Sequence, residues 1–180
     1  PPIGILNRKF RSTSMRSFFR FGQRNGLVDA NPAKPLRNPR KSRNLPHFLS
    51  DQELKTLLEA PPADTPHGLR DRAILELLYS CGLRISELTG LDIGAVDFAQ
   101  ALVRVLGKGG KERIVTVGQH ALDALRDYLE ERSAPADNEP LFLNRFGKRL
   151  TPRSVQRNLK NHLLLANMMK DATPHALRHS

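Results

Sequence analysis

Apolar positions recur at spacings of three and four across residues 11–25, RSTSMRSFFRFGQRN. Met15, Phe18, Phe19 and Phe21 stand among Arg16, Arg20 and Arg24, which fall on the other face. This pattern predicts an amphipathic helix ending at Gly26. Alone it cannot bury its apolar stripe, so it is expected to be the last helix of a preceding domain. Residues 28–46, VDANPAKPLRNPRKSRNLP, then carry four prolines and little apolar content. Prolines bar a helix and keep the backbone extended, predicting a semi-rigid linker. A globular part opens at Ser50, where Ser50-Asp51-Gln52-Glu53 has the form of a capping box. The helix it starts is expected to run to about Ala60, ahead of Pro61-Pro62. A second helix is predicted over about 67–80, with Ala73, Ile74, Leu77 and Leu78 inward, and a short third from Arg84 through Leu88. The period then changes. Residues 102–106 and 113–117 alternate as strands around Gly107-Lys108-Gly109-Gly110-Lys111, which reads as a hairpin with a glycine turn. Helical spacing returns over 119–132, and 134–139 read as a polar loop. Thr151-Pro152 marks another helix start, running to about Asn167 with Arg153, Arg157 and Lys160 opposite Val155, Leu159 and Leu163. Thr173-Pro174 repeats the signal. The expected architecture is mainly helical with one small antiparallel sheet.

Charge sharpens this division. The chain of 180 residues has a formal net charge of +11. Residues 1–50 hold eleven Lys and Arg against one acid, while 51–180 hold eighteen against seventeen. A basic segment beside a nearly neutral body fits an arm laid along a polyanion. A solvated tail or an anionic-membrane contact fits the charge as well. Lys34, Arg37, Arg40, Lys41 and Arg43 are the linker cations that could follow a phosphate backbone. No apolar run is long enough to span a bilayer and nothing has the layout of a signal peptide. The single cysteine, Cys81, lies in an apolar stretch and suits a reducing cytosol. His67, His120 and His162 lack metal-ligand spacing and receive no role; Met168 and Met169 read as core filler.

Four residues suggest chemistry: Arg84 after Cys81-Gly82-Leu83, Lys108 in the hairpin turn, and His175 with Arg178. His175 and Arg178 are three apart in the last predicted helix and so share a face. Two guanidiniums can hold two non-bridging oxygens of one phosphodiester, because their planar forks match phosphate geometry. A lysine on a glycine-flanked turn can reach a leaving oxygen as proton donor. Singly, each has an ordinary reading: a surface ion pair, a solvated turn lysine, a structural histidine.

In combination these segments resemble a known family. Gly82-Leu83-Arg84-Ile85-Ser86-Glu87-Leu88, Gly107-Lys108-Gly109-Gly110-Lys111-Glu112-Arg113 and Pro174-His175-Ala176-Leu177-Arg178-His179-Ser180 are similar to the signature boxes of the tyrosine recombinases, nearest the bacterial XerC/XerD branch. The resemblance runs from about Arg11 to Ser180. It implies that 1–28 hold the last helix of an N-terminal core-binding, SAM-like domain, 29–48 a basic linker, and 49–180 a catalytic domain. It implies that Arg84 and Arg178 clamp the scissile phosphate, His175 assists proton transfer from the attacking tyrosine, and Lys108 protonates the departing 5′ oxygen. Glu87 would support Arg84. No metal, ATP or other cofactor is expected. The helix after Thr151 resembles the one that family members place in the major groove, with Arg153 for a base edge and Arg157 and Lys160 for phosphates. Lys41, Arg43, Lys111 and Arg113 are expected to touch backbone phosphates. The implied partners are duplex DNA and a homo- or hetero-tetramer of related subunits, in the cytoplasm.

One departure from the pattern is large. The family places its nucleophilic tyrosine downstream of the last box, whereas Tyr79 and Tyr128 lie upstream and read as packing residues. The chain, which opens on Pro1, is therefore expected to be a C-terminally shortened piece that binds DNA without cleaving it. Two other readings stay open: a non-catalytic DNA-binding protein derived from an integrase, and a type IB topoisomerase, whose usual insertions are missing.

Overall fold

The computed structural model describes residues 3–36, 49–107, 109–132, 136–166 and 168. The chain divides into two compact units, Pro1–Leu45 and Pro46–Ser180.

In the first unit, helix α1 spans Ile3–Arg24, eight residues longer at its start than expected. Ile3, Leu6 and Phe10 continue the spacing of three and four, and that pattern outweighs the poor helix formers Gly4 and Asn7. The helix ends as expected. Gly26 takes the left-handed conformation (φ +67°) and the Leu27 amide reaches back to the Gly22 carbonyl at 2.8 Å. The expected extended course after it is corrected at its first residues. Residues 32–35 form a turn. Asn31 Nδ2 donates to the Arg16 carbonyl (3.2 Å) and Arg16 Nε to the Ala33 carbonyl (3.3 Å), which pins the buried Ala33 against α1. Phe18 remains 70% exposed, so the apolar stripe of α1 is unburied.

The second unit is built on α3 (Pro66–Cys81) and α5 (Gln119–Glu131), which pack on each other. Helix α2 (Asp51–Glu59) begins with the expected capping box: Ser50 Oγ accepts from the Glu53 amide and Glu53 Oε2 from the Ser50 amide. Its Leu57 joins Leu49, Leu54, Leu75, Leu159 and Leu163 in a cluster that ties α2 and α3 to α6 (Pro152–Leu165), with Met168 packed at its edge. A larger cluster joins α3 and α5 to the sheet through Leu77, Leu78, Val103, Val105 and Leu125. Alternation in β2 (Leu102–Leu106) explains this: Val103 and Val105 are fully buried while Arg104 and Leu106 face outward. β2 pairs antiparallel with β3 (Glu112–Thr116), Val103 opposite Val115 and Leu106 opposite Glu112.

The sheet has a third strand absent from the sequence reading, β1 (Val96–Asp97), paired antiparallel with β2. Two residues are too few to display alternation. Also unforeseen is a tight reversal over 143–149, where Leu143 bridges Arg149 and the Asn144 amide donates to the Lys148 carbonyl at 2.7 Å. Gly147 (φ +71°) makes that reversal possible. A second glycine sets the site. Gly82 closes α3 in the left-handed region (φ +55°), the buried Leu83 follows, and the chain re-enters a helix, α4 (Ile85–Thr89), with Arg84 at its N-cap.

Candidate active site

Arg84 stands at the start of α4 because the Gly82 reversal and the Leu83 anchor leave its side chain no room in the core. Its position is fixed by Glu87, three residues on. The Glu87 carboxylate is only 5% exposed and accepts from the Arg84 backbone amide (2.9 Å) and from Arg84 Nη1 (2.7 Å). A second guanidinium arrives from β3. Arg113 donates Nη1 to Glu87 Oε1 (3.0 Å) and Nη2 to Glu87 Oε2 (2.8 Å), a bidentate pair. The Arg113 hydrogen bonds act against the burial that would raise it, and with those from Arg84 they draw the Glu87 carboxyl down from 4.5 to about 2. The carboxylate is therefore charged throughout the physiological range. Arg84 keeps 54% of its side chain exposed, and among the described residues its Nε and Nη2 make no hydrogen bond. It can present those donors outward while Nη1 is held.

Strand β3 brings the hairpin turn to the same place. The Gly107 amide donates to the Lys111 carbonyl (2.8 Å), and a Cβ at Gly107 would stand 3.4 Å from Arg113 Nη1. The foot of the turn thus rests against the guanidinium that grips Glu87. Gly109 and Gly110 both take positive φ, as the turn demands. Lys111 is exposed on this hairpin. Lys108, His175 and Arg178 lie outside the described residues, as do Lys41 and Arg43. The structure brings together Arg84 and Arg113, both expected to contact phosphate, and Glu87, expected to support Arg84. Arg113 departs from its expected place: both its terminal nitrogens engage Glu87 rather than open surface. The sequence reading missed this because a clamp across 26 residues has no local signature.

Helix α6 presents Arg153, Arg157 and Lys160 as exposed side chains and buries Val155, Leu159 and Leu163, as its pattern predicts. Thr151 caps it, accepting from the Ser154 amide at 3.2 Å. A cleft of about 510 Å³ separates this helix from the 143–149 reversal, lined by His67, Arg145, Phe146 and Arg157 among others. At the tip Phe146 is 70% exposed with the Arg145 guanidinium 4.6 Å from its ring centre. A larger cleft of about 670 Å³ is edged by Asp92, Glu112 and Asp137, a lining that repels a polyanion.

His162, given no role from sequence, is buried and bonded. Its Nε2 lies 3.0 Å from Asp71 Oδ2, Asn158 Nδ2 donates to both Asp71 oxygens (3.2 and 3.1 Å), and Arg70 donates Nε and Nη2 to Oδ1 (2.9 and 2.7 Å). Burial would raise the Asp71 carboxyl, but the His162 hydrogen bond and the Arg70 charge together hold it below its ordinary value. The sequence separation of 91 residues hid this cluster.

The remaining candidates behave as packing groups. Tyr128 is buried, stacks on Phe142 at 5.8 Å, and its hydroxyl accepts from the Leu143 amide at 3.2 Å. Tyr79 is partly exposed on α3. Burial pushes the Cys81 thiol up to about 11, and its Sγ donates to the Thr116 carbonyl. Among the described residues no helix is long and apolar enough to cross a membrane.

A reversal that exposes an arginine over a buried glutamate, beside a glycine-turn hairpin and a capped basic helix, sits here in the fold of the tyrosine recombinases. The chain is a member of the phage integrase family, whose model matches residues 47–180. It is 45% identical over 167 residues to tyrosine recombinase XerC of Pelobacter propionicus, covering 93% of this chain and 55% of that protein. To tyrosine recombinase XerC of Myxococcus xanthus it is 44% identical over 181 residues, covering 97% and 60%. The chain thus spans little more than half the length of these relatives. Among solved structures, XerA recombinase matches with a TM-score of 0.68 at 32% identity, over 92% of this chain and 57% of that one. XerH site-specific recombinase, bound to a palindromic difH substrate after cleavage, matches with a TM-score of 0.67 at 25% identity, over 82% and 45%.

Proposed function

We propose that this chain supplies the phosphate-binding part of a site-specific DNA recombinase that cleaves and rejoins duplex DNA through a 3′-phosphotyrosyl intermediate. The observation that carries the reading is the buried Glu87 carboxylate, which holds Arg84 by backbone and side chain yet leaves half that side chain in solvent. A preorganised guanidinium of this kind stabilises charge that builds on phosphate oxygens in the transition state. Arg178 would be the second clamp and His175 would take the proton from the attacking tyrosine hydroxyl. As the tyrosine oxygen bonds to phosphorus, the bond to the 5′ oxygen breaks and Lys108 protonates that oxygen. The new phosphotyrosyl ester keeps the energy of the phosphodiester, so a 5′-hydroxyl from a partner strand reverses the step. The chemistry calls on no metal or nucleotide cofactor.

The tyrosine would come from outside these 180 residues, since the Tyr128 hydroxyl is buried in a structural bond and Tyr79 precedes Arg84 on α3. Duplex DNA is the substrate, read by Arg153 at a base edge and held at phosphates by Arg157, Lys160, Lys111 and the linker cations Lys41 and Arg43. Residues 1–28 would complete a core-binding domain and 29–48 would link it to the rest. The acting species would be a tetramer of the same or related subunits in the cytoplasm; action on duplex DNA is supported by XerH, a site-specific recombinase bound to its difH substrate.

The test uses a polypeptide carrying these residues with the remaining length its relatives have. Offered a nicked suicide duplex, it should become covalently attached to DNA. Arg178→Ala should abolish attachment while leaving much of the salt-sensitive binding. Equal attachment by the Arg178 variant would refute the site assignment. Binding without attachment by the parent would leave a DNA-binding module derived from an integrase.

A further inference from the structure

We infer that Asp71 is a positioning residue that sets the axial register of α6, and hence which base pairs Arg153 and its neighbours meet. The inference rests on the reading of α6 as the helix that contacts DNA. The buried face of α6 is formed by Val155, Leu159 and Leu163, spaced four apart, together with His162. Apolar burial is non-directional, so the packing of Val155 in one cluster and of Leu159 and Leu163 in the other specifies the register of α6 less sharply than a polar contact does. A four-residue slip moves a helix roughly 6 Å along its axis. Successive base pairs are about 3.4 Å apart, so the slip would carry Arg153 nearly two steps along the groove.

The polar cluster removes that ambiguity. Asn158 and His162 both bond the one Asp71 carboxylate, at 3.1 and 3.0 Å to the same oxygen. Slipped one way, Ser154 and Asn158 would take their places; slipped the other way, His162 and Ala166 would. Neither pair offers an amide and an imidazole at the required lengths, and a buried carboxylate left without donors is heavily penalised. Asp71 itself cannot yield, because Arg70 grips it and sends Nη1 to the Leu143 carbonyl at 3.0 Å. The same cluster thereby fixes the base of the 143–149 reversal beside α6. Arg70, Asp71 and His162 are all buried, so these bonds face little competition from water.

The experiment selects preferred sequences from a pool of duplexes randomised in sequence, then compares affinity for the selected duplex with that for mixed-sequence DNA. Asp71→Asn and His162→Leu should each reduce the discrimination about ten- to a hundredfold, the worth of one or two base contacts, with mixed-sequence affinity changed about twofold or less. His162→Gln, which returns an amide donor toward Asp71, should restore most of it. Leu54→Ala, a truncation in the adjoining apolar cluster, serves as the control for lost stability alone and should leave discrimination intact. Unchanged discrimination in His162→Leu, or an equal fall in Leu54→Ala, would overturn the inference. If Arg153→Ala also left discrimination unchanged, the assignment of α6 to DNA would fall first and take this inference with it.

Discussion

Replacing Glu87 by glutamine tests the clamp at its centre. Gln is nearly isosteric, but whichever oxygen it replaces, the new donor faces one Arg113 nitrogen and either the Arg84 amide or Arg84 Nη1, each now within 3.0 Å of a carboxylate oxygen. The carboxyl is drawn from 4.5 to about 2, and each unit is worth about 1.36 kcal/mol, which puts the native contribution near 3 kcal/mol. Both arginines are partly solvated, so about 2 kcal/mol is the better expectation for the substitution. In urea unfolding near neutral pH, Glu87→Gln should lose this amount and melt several degrees lower. The sign of the pH dependence follows from a depressed folded value. The stabilisation is complete above about pH 4.5 and is lost as pH falls toward about 2, so parent and variant should converge in acid. In the full-length protein the variant should also trap a suicide duplex at least about tenfold more slowly, because Arg84 loses its hold. A stability gap that stays constant from neutral pH to about pH 2.5 would refute the electrostatic account. So would a gap under about 0.5 kcal/mol, the size of an ordinary surface change.

The other predictions concern α6 and the floor of the second unit. Arg153→Ala should weaken binding to a selected duplex by about 1–3 kcal/mol and relax preference at one position, whereas Lys160→Ala should weaken all duplexes alike and lower the salt slope by about one; fluorescence anisotropy across a salt series separates the two. Tyr128→Phe leaves the Leu143 amide without its acceptor and should lose about 1–2 kcal/mol in urea unfolding, with DNA affinity unaltered in the folded fraction.

Much of the fold was legible wherever one residue type has one local use. Ser50 with Glu53 and Thr151 with Pro152 mark helix starts that stand within a residue of expectation. Val103 and Val105 between outward partners identify a strand. Arg84 and Glu87 lie three apart on one helical turn, so their partnership is a local fact. What stayed hidden depends on chain reversals and distant pairs. β1 is too short to show a period, and the turn at 32–35 is held by Asn31 donating to the Arg16 carbonyl and Arg16 to the Ala33 carbonyl, across 15 and 17 residues. Arg113 looks like any outward strand cation until the fold carries it to Glu87. Asp71 and His162 read as unrelated residues on two helices, and only their burial in one place makes them a pair.

The shared carboxylate has a mechanical consequence. Arg84 begins a helix and Arg113 sits in a strand, so Glu87, on that helix, adds a charged rivet between two elements that the apolar core also joins. Parting them breaks both arms of the bidentate Arg113–Glu87 pair at once, above a carboxylate that is almost fully buried. The strand end that carries Arg113 is thereby bolted to the helix that begins at Arg84, and the two travel as a single piece.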